Sequence, residues 1–236
     1  MSRRDHEHEG GPLVSVVVPT FDEERELPVA LDHLASLRGR WEVVIADGGS
    51  SDRTAAIARE RGVGVIAEGD GRPAQLNAAA RATRGEVLVF VHADSRLPAG
   101  AYDALCGAIR DPHVVGGNFV LRFTGDDRFA FFMTFFYWLH RRMGRYYGDS
   151  SVWVRRDVFE RLGGYRPVAF MDDFDFVRRL EAAGPTACLP GPAVTSPRRW
   201  RRLGLARTIL SWTVLRVAFR LGASPGWVAG FYERVR

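Results

Sequence analysis

Apolar residues in the first hundred positions fall in short runs, each closed by a polar cluster. Val14–Val18, Trp41–Ala46, Val63–Ala67 and Val87–Val91 are nearly continuous and rich in β-branched side chains. Such runs read as strands buried on both faces, the habit of a parallel sheet. Between them the apolar period changes. Leu27, Leu31 and Leu34 recur at helical spacing and predict a helix that tolerates Pro28 only in its first turn. A second helix is expected from about Arg53 to Arg61, stopped by Gly62. A third follows the loop Gly69 to Pro73 and ends before Gly85, and a fourth follows Pro98. The strand that begins at Val87 is expected to run to Asp94, and the first strand to end at Pro19. Four β–turn–α units in succession predict an α/β domain: a mostly parallel central sheet with right-handed crossovers and helices on both faces.

The second half patterns differently. Gly116–Phe123 reads as a strand, and Phe129–Leu139 as an aromatic helix, in the core or on the surface, too short to span a bilayer. Gly148-Asp149 forms a turn before a strand at Val152–Val154. A short helix over Asp157–Leu162 is closed by Gly163-Gly164, and another begins near Asp172. Past Arg198-Arg199-Trp200-Arg201-Arg202, an apolar, Arg-dotted helix is expected over Leu203–Leu221. Residues 1–11 are polar, with no apolar core of a signal peptide, and read as a disordered lead-in. No internal repeat or low-complexity linker divides the 236 residues.

The net charge is +5, with arginine supplying the excess. That balance suits nucleic acid, an anionic membrane surface or phosphorylated ligands. The arginine cluster from Arg198 to Arg202 holds one aromatic, too few for the stacking platform of a single-strand binder. Cys106 and Cys188 lack C-x-x-C spacing and read as free thiols, which suits a reducing cytosol.

In open α/β sheets the ligand crevice lies beyond the carboxyl ends of the strands. Three acidic positions are expected there: Asp22/Glu23, Asp47 and Asp94. Asp94, at the end of an apolar run, could hold a divalent cation against a phosphate. Asp173 shares a helix face with Val177 and Leu180, so it should turn inward at a helix start. Each has a plainer role open to it. Asp47 and Asp94 could shape turns, Glu23 could be a first-turn acid, and Asp172 and Asp173 could cap a helix. Arg72 could be a solvated cation and His92 a core histidine. Only their joint placement at one sheet edge makes a constellation.

Five segments resemble family 2 glycosyltransferases of the GT-A fold. They are Val14 through Glu24, Asp47 through Thr54, Gly71 through Asn77, His92-Ala93-Asp94 and Asp172-Asp173, in the family's order over about Leu13 to Trp200. The match is to a small, single-domain bacterial branch. The resemblance implies a domain over residues 12–200, with a nucleotide-sugar half at 12–110 merged with an acceptor half at 111–200, and a C-terminal helical segment at 201–236. It implies that Pro19, Thr20 and Glu23 line a nucleoside pocket and that Asp47 bonds the base. Arg72 and Asn77 would face ribose, diphosphate or sugar, with Ala93 beside them. Asp94 would hold Mg2+ or Mn2+. Asp173 would deprotonate the acceptor hydroxyl, with inversion at the sugar. Gly148, Asp149, Asp172, Arg198, Arg199 and Trp200 would border the acceptor.

Departures from the family pattern refine this. His92 stands in place of the first acid of a D-x-D motif, which tilts the metal toward Mn2+. Asp172 replaces a glutamate. Ser196 stands where processive synthases have glutamine, so transfer of a single sugar is expected. A UDP-sugar is the first guess for the donor, with GDP- and dTDP-sugars open. Leu203–Leu221 would either pack on the domain or touch the anionic inner face of the cell membrane, the latter fitting a lipid-linked acceptor. The loop Tyr146 to Ser150 is expected to order when donor binds. Two other classes compete. One is a binding domain that holds a nucleotide sugar without turnover. The other is a sugar-phosphate nucleotidyltransferase, which wants a glycine-rich basic loop where Pro19-Thr20-Phe21-Asp22-Glu23 stands.

Overall fold

A computed structural model describes residues 10–125, 127–142, 146, 148–168 and 171–196. Residues 1–9 of the expected lead-in, Arg198-Arg199-Trp200 and the expected helix Leu203–Leu221 lie outside the described residues.

The strands are β1 (Val14–Thr20), β2 (Trp41–Asp47), β3 (Gly64–Ile66), β4 (Val87–Phe90), β5 (Ser95–Arg96), β6 (Gly116–Phe123), β7 (Trp153–Arg155) and β8 (Thr186–Thr195). The helices are α1 (Leu27–Ser36), α2 (Thr54–Glu60), α3 (Arg72–Arg81), α4 (Ala101–Ile109), α5 (Arg128–Arg142), α6 (Arg156–Arg161) and α7 (Asp172–Ala183). All eight strands form one sheet, in the order β3-β2-β1-β4-β7-β6-β8-β5. β1 to β4 are mutually parallel, β6 and β8 are parallel, and β7 and β5 run against their neighbours.

Side chains alternate between two cores, as the period of two along a strand requires. Val14, Val16, Val18, Ile45, Val87 and Val89 join Leu31 of α1 and Leu105 of α4 on one face. Val17, Val44, Ala46, Leu88 and Phe90 join Leu76 of α3, Phe159 of α6 and Phe176 of α7 on the other. A third cluster packs α5 onto Leu121 and Phe123 of β6 and Phe174 of α7. Gly85 lets β4 enter beside β1. A Cβ there would stand 2.5 Å from Ser15 Oγ and 2.6 Å from its backbone nitrogen.

Several expectations shift. β1 continues through Pro19, whose Cα pairs with Ala46. Pro19 faces the same side as Val17, whose carbonyl accepts the Val91 N–H at 3.0 Å. The missing N–H therefore points past the end of β4, where no ladder bond is lost. β4 stops at Phe90 rather than Asp94, and a short β5 follows the turn. β8 is absent from the sequence reading because Pro190-Gly191-Pro192 interrupt its pattern. Its ladder with β6 shifts register between Phe119 and Leu121, and β5 pairs only with Val194 and Thr195, so the prolines meet no full ladder on that side. Among the described residues, no helix is long and apolar enough to cross a membrane.

Candidate active site

The carboxyl ends of β1 and β2 carry Thr20 and Asp47, which are register partners. Thr20 Oγ1 donates to Asp47 Oδ1 at 3.0 Å, and Ser50 Oγ donates to the same oxygen at 2.6 Å. Asp47 Oδ2 accepts the backbone N–H groups of Gly49 and Ser50 at 3.2 and 3.0 Å. Four donors fill the sites a carboxylate offers. Asp47, only 4% exposed, therefore shapes its own turn in this arrangement rather than offering an acceptor to a base.

The β1–α1 loop is fastened to the same turn. Asp22 adopts a left-handed φ of 52°. Its Oδ1 accepts the Ser51 N–H at 2.8 Å, and its own N–H donates to Ser50 Oγ at 3.0 Å. The Glu23 N–H donates to Thr54 Oγ1 at 2.8 Å, and the Glu24 N–H to Asp52 Oδ2 at 3.1 Å. The two turns thus hold each other.

Arg72 and Asn77 both lie on α3, yet they serve different ends. Asn77 Nδ2 donates to the Tyr165 carbonyl at 2.8 Å and its Oδ1 accepts the Tyr165 N–H at 2.9 Å. The amide clamps the Gly164-Tyr165 segment rather than facing a ligand. Arg72 makes an ion pair with Asp172 across the two halves of the chain. Burial pushes the Asp172 carboxyl up; Arg72 pulls it back and the neighbouring Asp173 raises it further. Burial also pushes the Tyr165 phenol well above its usual value, within the field of Arg72, Asp172 and Asp173.

β4 delivers His92, Ala93 and Asp94 just past its last residue. The Ala93 methyl belongs to the core on the α1 and α4 side, so only its backbone is available to a donor. Its carbonyl accepts Arg96 Nη1 at 3.1 Å, and Arg96 lies within the field of Asp94.

Asp173 stands in the first turn of α7, where the N-terminal dipole favours a carboxylate. Its Oδ2 accepts the Gly148 N–H at 2.8 Å and its Oδ1 the Phe174 N–H at 2.8 Å. A Cβ on Gly148 would stand 3.1 Å from Asp173 Oδ2 and 3.3 Å from His92 Nε2. One glycine thus lies against both the β4 terminus and the α7 acid, which are 81 positions apart in the chain. Asp149, beside it, accepts the Tyr137 hydroxyl of α5 at 2.9 Å. Ser151 and Met171, flanking this turn and this helix, have left-handed φ values of 52° and 58°. With Asp22, they are the non-glycine residues of positive φ among those described, and all border the site. Strain of this kind gathers where surrounding structure over-determines a functional geometry.

Among the described residues, no three His, Cys, Asp or Glu side chains converge as a metal cluster. Asp94 and His92 are the candidate protein ligands. That set fits a cation that takes most of its oxygens from a substrate diphosphate, as Mg2+ and Mn2+ do. Sequence reasoning missed Ser50, Tyr137 and Tyr165. Ser50 lay in a legible turn, whereas Tyr137 and Tyr165 sat among other aromatics with no local sign of their partners.

A largely parallel sheet with fastened turns at its carboxyl edge, facing an acid at a helix start, defines a GT-A sugar-transferring fold. Residues 15–172 match the family model "Glycosyl transferase family 2", which spans more than half of the chain. The chain belongs to that family of glycosyltransferase enzymes. An uncharacterized protein of Mycobacterium tuberculosis is 27% identical over 273 residues, covering 94% of this chain and 84% of its own length. The undecaprenyl-phosphate 4-deoxy-4-formamido-L-arabinose transferase of Pseudomonas paraeruginosa is 34% identical over 122 residues, covering 42% of this chain. The match spans only 36% of that transferase. Among solved structures, glucosyl-3-phosphoglycerate synthase of M. tuberculosis, in complex with Mn2+, UDP and phosphoglyceric acid, superposes with a TM-score of 0.61. It is 20% identical and is matched over 93% of this chain and 82% of its own.

Proposed function

We propose that this enzyme transfers one sugar from a nucleoside-diphosphate donor to an acceptor hydroxyl, with inversion and with a divalent cation. The observation that carries the reading is the meeting of Gly148 with both Asp173 and His92. It supports the reading because a candidate base and a candidate diphosphate anchor lie against the same glycine. The fastened turns of Asp22, Asp47 and Ser50 form the nucleoside wall, with Pro19, Thr20 and Glu23 along it. Asp47 and Asn77 are positioning residues, and Arg72 balances charge between donor and Asp172. Asp94 and His92 would hold Mn2+ or Mg2+, which neutralises charge on the leaving diphosphate.

Asp173 takes the proton of the acceptor hydroxyl as its oxygen bonds the anomeric carbon, and the bond from that carbon to the diphosphate oxygen breaks on the opposite face. The Gly148 N–H fixes the carboxylate for that task. Asp149 borders the acceptor. The undecaprenyl-phosphate in the name of the Pseudomonas relative supports a lipid-type acceptor. The UDP in the mycobacterial synthase complex supports UDP-sugars as first candidates. Arg199 and Trp200 are assigned to the acceptor side from sequence alone.

The test is release of nucleoside diphosphate from UDP-, GDP- and dTDP-sugars with Mn2+ or Mg2+. Wild type should hydrolyse one donor slowly without acceptor. Asp94→Ala and Asp173→Asn should each lower the rate by about 10²–10⁴-fold. Donor binding without turnover in the presence of polyprenyl-phosphate acceptors would instead make this a binding domain.

A further inference from the structure

We propose that the outer face of α5 docks on an anionic lipid bilayer. The helix has two apolar faces. Ala130, Met133, Tyr137 and His140 are buried against the domain. On the opposite side Phe131 is 77% exposed, Phe135 51%, Trp138 49% and Leu139 42%. Phe131, Phe135 and Trp138 recur at spacings of four and three, so they form one stripe along the helix. Arg128 and Arg142 continue the stripe at its two ends, and both are exposed. The Arg142 guanidinium lies 5.0 Å from the centroid of the Trp138 ring. A cleft of about 560 Å³, bordered by Phe131, Phe132 and Phe135, opens beside Asp127 and Arg128.

Large apolar side chains on a water-facing helix leave water when the helix lies in the headgroup boundary. Arginines at both ends then reach the phosphate level along their apolar stems. The charge pattern selects an anionic surface. Arg128 and Arg142 are the exposed cations at the ends of the stripe, and Asp127, the acid at the start of α5, accepts the Ala130 N–H at 2.9 Å as a helix cap. At 15 residues the helix is about 22 Å long, shorter than the ~30 Å hydrocarbon core, so it lies along the surface. Tyr137, on the inner face, bonds Asp149, which joins the docked helix to the acceptor-side turn. In purpose the docking rests on the lipid-acceptor reading above; as a binding event it needs no turnover.

The experiment is co-sedimentation of the full chain with phosphatidylglycerol and phosphatidylcholine vesicles. Wild type should prefer phosphatidylglycerol by about tenfold or more. Phe131→Ser/Phe135→Ser and Arg128→Gln/Arg142→Gln should each weaken that binding by about tenfold or more, with circular dichroism and donor hydrolysis unchanged. Brominated lipid should quench wild-type fluorescence more than that of Trp138→Phe. Vesicle binding untouched by both double variants would overturn the proposal and move the contact to residues 203–221. A vesicle-inert protein would also overturn it. If such a protein dimerises, and Phe131→Ser/Phe135→Ser abolishes the dimer in ultracentrifugation, the face is an interface between copies. Vesicle binding that depends on α5 in a protein inert toward every donor would leave the docking standing and sink the transferase reading.

Discussion

The sheet edge proposed to bind the donor and the side proposed to take the acceptor are built on opposite plans. At the donor edge, Asp22, Asp47, Ser50, Asp52 and Thr54 bond one another and the backbones of two loops. Nearly every polar group there has a partner before any ligand arrives. On the acceptor side the acid Asp173 is held by a backbone N–H from Gly148 and by that of its own neighbour, while the nearby α5 presents large rings to solvent. On the reading proposed above, the pre-built wall holds the nucleoside of a flexible donor in one pose. The reacting base must instead be aimed, and the acceptor face left open.

The contrast predicts different kinetic signatures. Asp173→Asn should cut kcat by about 10³-fold with donor affinity retained, because it removes a proton acceptor and little else. Asp47→Ala should do the reverse. It strips the partner from Thr20, Gly49 and two groups of Ser50, with a stability loss of about 2–4 kcal/mol. Donor KM should rise by about ten- to a hundredfold as the wall loosens, with a smaller effect on kcat. Steady-state kinetics with isothermal titration of the donor separates the two. Equal loss of kcat in both variants would erase the distinction between wall and base.

Arg72 bridges the two plans, so its removal probes the seam. Asp172 is 13% exposed and Arg72 36%. Deleting the cation should cost about 1–3 kcal/mol, less than for a fully buried pair because of the solvent at Arg72. Burial and the Asp173 charge already hold the Asp172 carboxyl above its ordinary value, against the pull of Arg72. A raised carboxyl is protonated more readily in the folded chain than in the unfolded one. Its contribution is full below the ordinary pKa of 3.8 and is lost as pH rises through the folded value. Without Arg72 that value climbs further, so the deficit of Arg72→Ala should widen with pH. Thermal midpoints of both proteins between about pH 4 and about pH 7 check this, and a constant gap contradicts it.

The same contrast explains what could be read from the chain alone. The N-terminal half was legible because parallel strands buried on both faces leave continuous apolar runs, and turns fastened by local acids leave Asp, Gly and Ser clusters. β1 to β4 and α1 to α4 were therefore foreseen, apart from ends such as Pro19, where only the strand neighbour decides the boundary. The C-terminal half was built by distant contacts. β8 hid behind Pro190 and Pro192, and α5 could not be assigned to core or surface because both of its faces are aromatic. It proves to be both. Asp173 could be placed on an inward helix face from its spacing with Val177 and Leu180. That His92 and Gly148 would meet beside it had no local mark, since the three come together only through packing. The hydrogen bonds of Asp47 and Asn77 were hidden for a similar reason: a motif names a residue without saying which bonds its neighbours make.

Gly148 gives the finest test of that aim. Its backbone has no need of glycine, since its φ lies outside the left-handed range. What excludes a methyl is the space: 3.1 Å to Asp173 Oδ2 and 3.3 Å to His92 Nε2. Gly148→Ala must shift one of these groups by a few tenths of an ångström while leaving the fold and the donor wall intact. Misplacement of 1 Å costs about a hundredfold in well-aligned chemistry, so a shift of this size should lower kcat by about three- to tenfold. Donor KM and the thermal midpoint should stay near wild type, and Asp173→Asn should mask the effect in the double variant. A kcat unchanged in Gly148→Ala would mean that Asp173 tolerates displacement, and the acceptor side would then need no aiming at all.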